Sequence, residues 1–245
     1  MGIWLNSDLG ESFGSWTMGM DEKIMPLIDM ANIACGFHAS DPLVMQRTVA
    51  LAKANDVRIG AHPGYPDLVG FGRRSMACSA AEIEAFIIYQ CGALEAICTA
   101  QNTEVCYVKP HGALYNDMMK DEKVFMAIAR AISQYNKDLP LMILSTGENA
   151  KYEALVKPLG IELIYEVFAD RGYTDEGFLV PRTESGAVIH ESSAVIERIR
   201  LLEAEGVLIT RSGKKIAMQA DSMCVHGDNE QALALVASLR EFLDQ

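Results

Sequence analysis

The 245-residue chain has no C-x-x-C pair among its six cysteines, no H-E-x-x-H, no G-x-S-x-G and no G-x-x-x-x-G-K-[ST]. Those absences argue against a zinc knuckle, a disulfide framework, a helical zinc-protease site, a serine nucleophile elbow and a P-loop. The cysteines (Cys35, Cys78, Cys91, Cys98, Cys106 and Cys224) are expected to be reduced, mostly buried thiols, with Cys35 and Cys224 packing rather than reacting. Lysine and arginine never run beyond two in succession, and 33 acidic against 21 basic residues leave a formal charge of −12. Such a surface opposes phosphate backbones and anionic lipid, so neither nucleic acid nor a membrane is expected as a partner. No stretch approaches 18 apolar residues without a charge, and Asp8 and Glu11 interrupt the N-terminus before a signal-peptide core could form. The expected location is cytoplasmic.

The chain is 50% hydrophobic, and its length is close to the roughly 250 residues typical of a (β/α) barrel. Short β-rich runs at 3–7, 31–35, 57–61, 105–109, 141–144, 163–168 and 216–220 alternate with helical patterns, without repeat or low-complexity linker. One continuous α/β domain over 1–245 is expected. Asp41-Pro42 opens a helix over 43–54, and Ser79-Ala-Ala-Glu82 is a capping box for a helix reaching Ala100. Further helices are expected over 122–133, 193–205 and 230–243. A hairpin turn at Arg211-Ser-Gly-Lys214 leads into the last strand and works against a regular eight-fold barrel. Two long connections, from His62 to Cys78 and from Ala169 to Glu191, read as functional rim loops.

Four of the five histidines stand just past strand runs: His38, His62, His111 and His226. A single histidine there is commonly structural, and Asp41 and Asp121 read as helix caps. The coincidence of four histidines with Asp8, Glu11, Lys109 and Asp221 instead indicates chemistry gathered at the carboxyl ends of a parallel sheet. Strand parity agrees: Asn6 falls with Asp8, and Tyr107 with Lys109, on the faces opposite Leu5 and Val108. Lys109, held extended by Pro110, either snorkels or meets a carboxylate or phosphoryl group. Asp170-Arg171 adds an acid and a bidentate anion binder. Asp8, His38 and His62 form a set able to hold one divalent metal ion.

Six ordered blocks, NSDLGESFG, NIACGFHASDP, GAHPGYPD with GFGRR, VKPHGALYN, EVFADRGYTDEGFLVPR and CVHGD, together resemble the LamB/YcsF family over nearly the whole chain. Ser40 stands where the family pattern has glycine, a change expected to tighten the pocket. The resemblance implies a distorted seven-stranded (β/α) TIM-like barrel similar to polysaccharide deacetylases. It also implies ATP-dependent hydrolysis of the lactam 5-oxo-L-proline to L-glutamate, as the A subunit of a 5-oxoprolinase working with subunits B and C. For that chemistry Lys109 and Arg171 are the expected cations, Asp8, Glu11, His38 and His62 the proton-transfer groups, and His111 and His226 substrate-positioning groups. Two rival expectations share the same rim: a stand-alone metal-dependent amidohydrolase or deacetylase, and a non-catalytic subunit that holds a lactam or carbohydrate.

Overall fold

The computed structural model describes residues 2–181, 183–189, 191–225, 227 and 229–244. Seven strands pair in parallel and close on themselves: β1 (Trp4–Leu9), β2 (Met30–Ala34), β3 (Arg58–His62), β4 (Tyr107–Val108), β5 (Leu141–Leu144), β6 (Leu163–Phe168) and the closing strand β9 (Ser222–Cys224). β9 joins β6 to β1, with Phe168 opposite Cys224 on one side and Asn6 opposite Cys224 on the other. β7 (Val207–Ile209) and β8 (Lys215–Ala217) form a separate antiparallel hairpin.

Closure corrects one strand assignment. The pattern at 216–220 predicts the last barrel strand, but the run belongs to the hairpin, and the barrel closes through Ser222–Cys224. The three-residue strand Ser-Met-Cys is too short and too polar at its start to show a strand pattern, although all three residues are buried. Asp221 moves with this correction. It precedes β9, where its carboxylate accepts from the Tyr165 amide at 2.8 Å, and so closes the amino-terminal side of the barrel instead of joining the rim.

Helices wrap the strands in the order α1 (Asp21–Ile24), α2 (Pro42–Ala54), α3 (Ala80–Ala100), α4 (Gly112–Met118), α5 (Glu122–Asn136), α6 (Asn149–Val156), α7 (Ser192–Glu205) and α8 (Glu230–Leu243). The starts are specified locally. Asp41 accepts from the Leu43 and Val44 amides, Asp121 from Lys123, and Ser79 and Glu82 satisfy each other's backbone as a capping box. By length and composition α3 is able to cross a membrane, but here it buries Ile83, Ile87, Cys91, Leu94 and Cys98 in the core.

Alternation along the strands divides the core into two. Leu5, Ile33, Ile59, Val108, Ile143, Val167 and Met223 point outwards into the layer beneath the helices. Met30, Tyr107, Met142 and Ile164 form a small apolar plug inside the barrel. Gly60 makes room for that plug, since a β-carbon there would collide with the Tyr107 ring. Above the plug the interior turns polar.

Ser40, where the resemblance leads one to expect glycine, has a backbone consequence. Ser40 is buried and sits at φ +75°, in the left-handed region where glycine is at ease and a β-carbon costs about 1–2 kcal/mol. Ser40→Gly is expected to stabilise the protein by up to about 1 kcal/mol, part of the relief being offset by the freer unfolded chain. That corresponds to a rise in Tm of about 2–4 °C for a chain of this size. Ser40→Val should lower Tm, and calorimetry of the two variants would show an error in the assigned conformation if both melted like the parent.

Candidate active site at the carboxyl mouth of the barrel

Directly above the plug, the interior faces of β1, β2, β6 and β9 supply Asn6, Asp8, Asn32, Glu166 and Ser222, and Lys109 follows β4. The Lys109 ammonium reaches Glu166 Oε1 at 2.7 Å, Asp8 Oδ1 at 3.0 Å and Asn6 Oδ1 at 3.1 Å. Asn32 donates to Asp8 Oδ1 and to Asn6 Oδ1, both at 2.8 Å, while Tyr107 donates to Asn32 and Tyr115 to Glu166, both at 2.7 Å. Glu166 is fully buried and Lys109 is 3% exposed, so two charges are neutralised out of water. Asp8 is 25% exposed and faces the opening.

Of the partners the sequence allows for Lys109, the structure supplies two carboxylates. Its three N–H groups have acceptors in Glu166, Asp8 and Asn6. Burial favours the neutral amine, yet the Asp8 and Glu166 carboxylates raise the Lys109 pKa well above its ordinary value. Burial likewise opposes ionisation of Asp8, but His62 and Lys109 bring its carboxyl well below the usual range. Cys224, 3.5 Å from the ammonium, is pushed far up by burial and stays a thiol.

Beside this network stand three histidines and Glu11. His62 Nδ1 lies 2.6 Å from the Lys109 carbonyl, and His62 Nε2 is 3.4 Å from Asp8 Oδ2 and 3.0 Å from His111 Nδ1. His111 Nε2 is 2.9 Å from the Phe71 carbonyl. The His38 ring lies flat against His111, centroids 3.6 Å apart, with His38 Nε2 3.3 Å from Glu11 Oε1. Burial, then the neighbouring His62, keeps His38 well below the ordinary imidazole pKa; burial, then His38 and His62, does the same to His111. Burial and the Asp8 charge push Glu11 the other way, raising its pKa. Asp8 and Glu11 are thus driven apart in acidity.

The long 62–78 connection completes this arrangement. Phe71, at φ +54°, turns its carbonyl to His111, and Gly72, at φ +60°, lies so close to His38 and His111 that a β-carbon would strike both. The 169–191 connection folds against itself through bridges from Arg171 to Val188 and from Tyr173 to Leu179. The Arg171 guanidinium donates to the Ala187 and Val180 carbonyls, which makes it a staple for that loop at the wall of the cavity. Asp170 sits at its root, its carbonyl accepting from the Ile189 amide. The cavity at this mouth is about 930 Å³ and is lined by Asp8, Glu11, His62, His111, Arg73 and Phe178 among others.

Asp8, Glu11, His38, His62, Lys109 and His111 therefore come together, Asp170 and Arg171 stand in the flanking loop, and His226 lies outside the described residues. Glu11, His38, His62 and His111 bring one donor atom each within 4.8 Å of one another, so Glu11 takes the place expected of Asp8 in the donor cluster. Sequence reasoning missed Glu166, whose only signal is a carboxylate inside the apolar run Leu163–Phe168, as well as Tyr115 and Arg73. Arg73 stacks over Phe71 at 5.0 Å and presents a cation to the cavity.

The ion pair yields a stability test. Lys109→Met strands the Glu166 carboxylate in the interior and should cost about 3–5 kcal/mol in denaturant unfolding. Lys109→Met/Glu166→Gln should recover most of that loss, whereas Lys109→Arg should not, because a planar fork cannot serve these three acceptors. A single variant as stable as the parent would refute the buried pair.

A model of the LamB/YcsF family matches residues 3–245. The chain is 53% identical over 241 residues to the A subunit of 5-oxoprolinase from Vibrio campbellii, spanning 98% of this chain and 95% of that one. It is 50% identical over 240 residues to the corresponding protein of Chromohalobacter salexigens, which bears the same name, spanning 98% and 96% respectively. The crystal structure of a lactam utilization protein from Thermus thermophilus superposes with a TM-score of 0.93 at 40% identity, covering 100% of this chain and 97% of that one. Sequence blocks, barrel and end-to-end similarity agree: the chain belongs to the LamB/YcsF family.

Proposed function

We propose that this chain is the A subunit of a cytoplasmic, ATP-dependent 5-oxoprolinase that opens 5-oxo-L-proline to L-glutamate, with ATP cleaved to ADP and phosphate, in a complex with subunits B and C. The carrying observation is the pair of carboxylates Asp8 and Glu11, shifted in opposite directions at the floor of one cavity, in a chain so similar to proteins named as 5-oxoprolinase A subunits.

A lactam resists water because its nitrogen donates into the carbonyl. Transfer of the ATP γ-phosphoryl group to the carbonyl oxygen, with release of ADP, withdraws that donation. One water then adds to the carbon, the nitrogen takes a proton, the C–N bond breaks to leave an acyl phosphate, and a second water displaces phosphate to leave the carboxylate of glutamate. Such a sequence needs a base for water and an acid for nitrogen. Asp8, held ionised and partly open to the cavity, suits the base, and Glu11, whose carboxyl retains its proton to higher pH, suits the acid. Lys109 and Glu166 fix Asp8, and His62, His111 and His38 connect the two carboxylates. Arg73 suits an anionic group, either the substrate carboxylate or a phosphate. Asp170 and Arg171 hold the loop over the mouth. Without a P-loop in the sequence, partner subunits complete the nucleotide site.

The test is glutamate formation from 5-oxoproline, with and without ATP and with and without subunits B and C. Turnover is expected only in the full mixture. ATP-independent turnover by the chain alone would favour a stand-alone amidohydrolase, and lactam binding without turnover in any mixture would favour a non-catalytic role. Within the active complex, Asp8→Asn and Glu11→Gln are each expected to lower kcat by about two orders of magnitude or more, with Glu11→Gln melting near the parent and Asp8→Asn lower, because the Asp8 charge is stabilised beside Lys109. Near-parental rates for both variants would remove the carboxylate pair from the chemistry.

A further inference from the structure

The tautomers of His62 and His111 are set by their surroundings. His62 Nδ1 and His111 Nε2 each face a backbone carbonyl, of Lys109 and of Phe71, and a carbonyl only accepts. Each outer nitrogen therefore carries the ring proton. The inner nitrogens, His62 Nε2 and His111 Nδ1, then face each other across a gap of 3.0 Å, which either a shared proton or a metal ion in its place would fill. Glu11 Oε1 lies 3.6 Å from His111 Nδ1, and its carboxyl would give up its proton on binding a metal ion. His62 Nε2, His111 Nδ1 and Glu11 Oε1 are three lone-pair atoms gathered within 4.8 Å of one another, a set able to exchange its protons for one metal ion.

We propose that His62 Nε2, His111 Nδ1 and Glu11 Oε1 bind one divalent transition-metal ion, with a further coordination position open to the cavity. Bonds of about 2.0–2.2 Å in a tetrahedral site set neighbouring ligand atoms roughly 3.3–3.6 Å apart. The observed 3.0 Å and 3.6 Å need only small adjustments to meet that spacing. The perpendicular rings of His62 and His111, at 87°, let their in-plane lone pairs converge. Backbone carbonyls on the far nitrogens are the usual means of orienting ligand histidines. The mixed nitrogen and oxygen set suits zinc, cobalt or manganese.

The same geometry excludes His38 as a ligand to that ion. Its ring is parallel to His111 within 3°, so the two rings direct their lone pairs side by side and not to one point. His38 Nε2, 3.3 Å from Glu11 Oε1, is instead a donor that aims the carboxylate. Asp8 has its Oδ1 engaged by Lys109 and Asn32 and its Oδ2 3.4 Å from His62 Nε2, and it lies outside the donor cluster of Glu11, His38, His62 and His111. The set expected from sequence, Asp8 with His38 and His62, thus becomes Glu11 with His62 and His111.

This inference goes beyond the lactam reading, in which a metal-bound Glu11 would no longer serve as the acid, and its test uses neither lactam nor ATP. Tag-free protein stripped with chelator is titrated with cobalt(II), followed by its visible absorption and by isothermal calorimetry, and zinc is then added. One equivalent should bind with a visible band that zinc displaces. His111→Gln and Glu11→Gln should abolish the band, while His38→Ala should keep it and weaken binding by about 10- to 100-fold. Circular dichroism of each variant separates a lost ligand from a lost fold, and Glu11, on the partly exposed side, supplies the answer if His111→Gln does not fold. No uptake at millimolar cobalt, or uptake unchanged in folded His111→Gln and Glu11→Gln, would overturn the site and leave the two histidines sharing a proton.

Discussion

The ion pair between Lys109 and Glu166, extended to Asp8, is the constraint on which the mouth of the barrel depends. A carboxylate with no exposure and an ammonium almost as buried are tolerated in a protein interior only when each supplies the other's charge and the remaining hydrogen-bonding positions are filled. Asn6, Asn32, Tyr107, Tyr115 and Ser222 do that filling, each from a different strand or helix start. The polar layer therefore ties β1, β2, β6, β9 and the end of β4 to one another from inside. Its position follows from the apolar plug beneath it, which blocks the amino-terminal half of the barrel and leaves the carboxyl half as the open cavity.

Acidity at the mouth is a product of the same arrangement. Asp8 lies against the ammonium and His62, whereas Glu11, three residues further along and outside the strand, faces Asp8's charge across the histidines. Two carboxyl groups of nearly equal intrinsic acidity are thereby separated by placement alone. The histidines add a second layer of control, because the carbonyls of Lys109 and Phe71 decide which ring nitrogens face the cavity. Phe71 can do so only because the loop takes a left-handed turn there and Gly72 leaves room for the stacked rings.

The two long connections serve different ends. The one after β3 brings backbone to the histidines and a cation, Arg73, to the opening. The one after β6 is pinned by Arg171 to its own carbonyls and forms a wall with Phe178, Leu179 and Val180. An arginine that reads in sequence as an anion binder is here also a structural clamp, because the loop folds back within reach of its fork.

Much was determined by local sequence. Periodicity and caps specify the helices, since Asp41, Ser79 with Glu82, and Asp121 satisfy their own first turns; alternation along Trp4–Leu9 places Asp8 on the inner face; and six motif blocks carry the family. Tertiary structure decided the rest. Barrel closure through Ser222–Cys224 depends on pairing between residues more than 200 positions apart, so a three-residue strand carries no pattern of its own. Glu166 acquires its meaning only from Lys109, 57 positions earlier, and the gathering of Glu11 with His62 and His111 depends on ring orientations set by carbonyls from two other segments. Local propensity acts through neighbours in sequence; charge pairing, tautomer and ligand geometry act through neighbours in space.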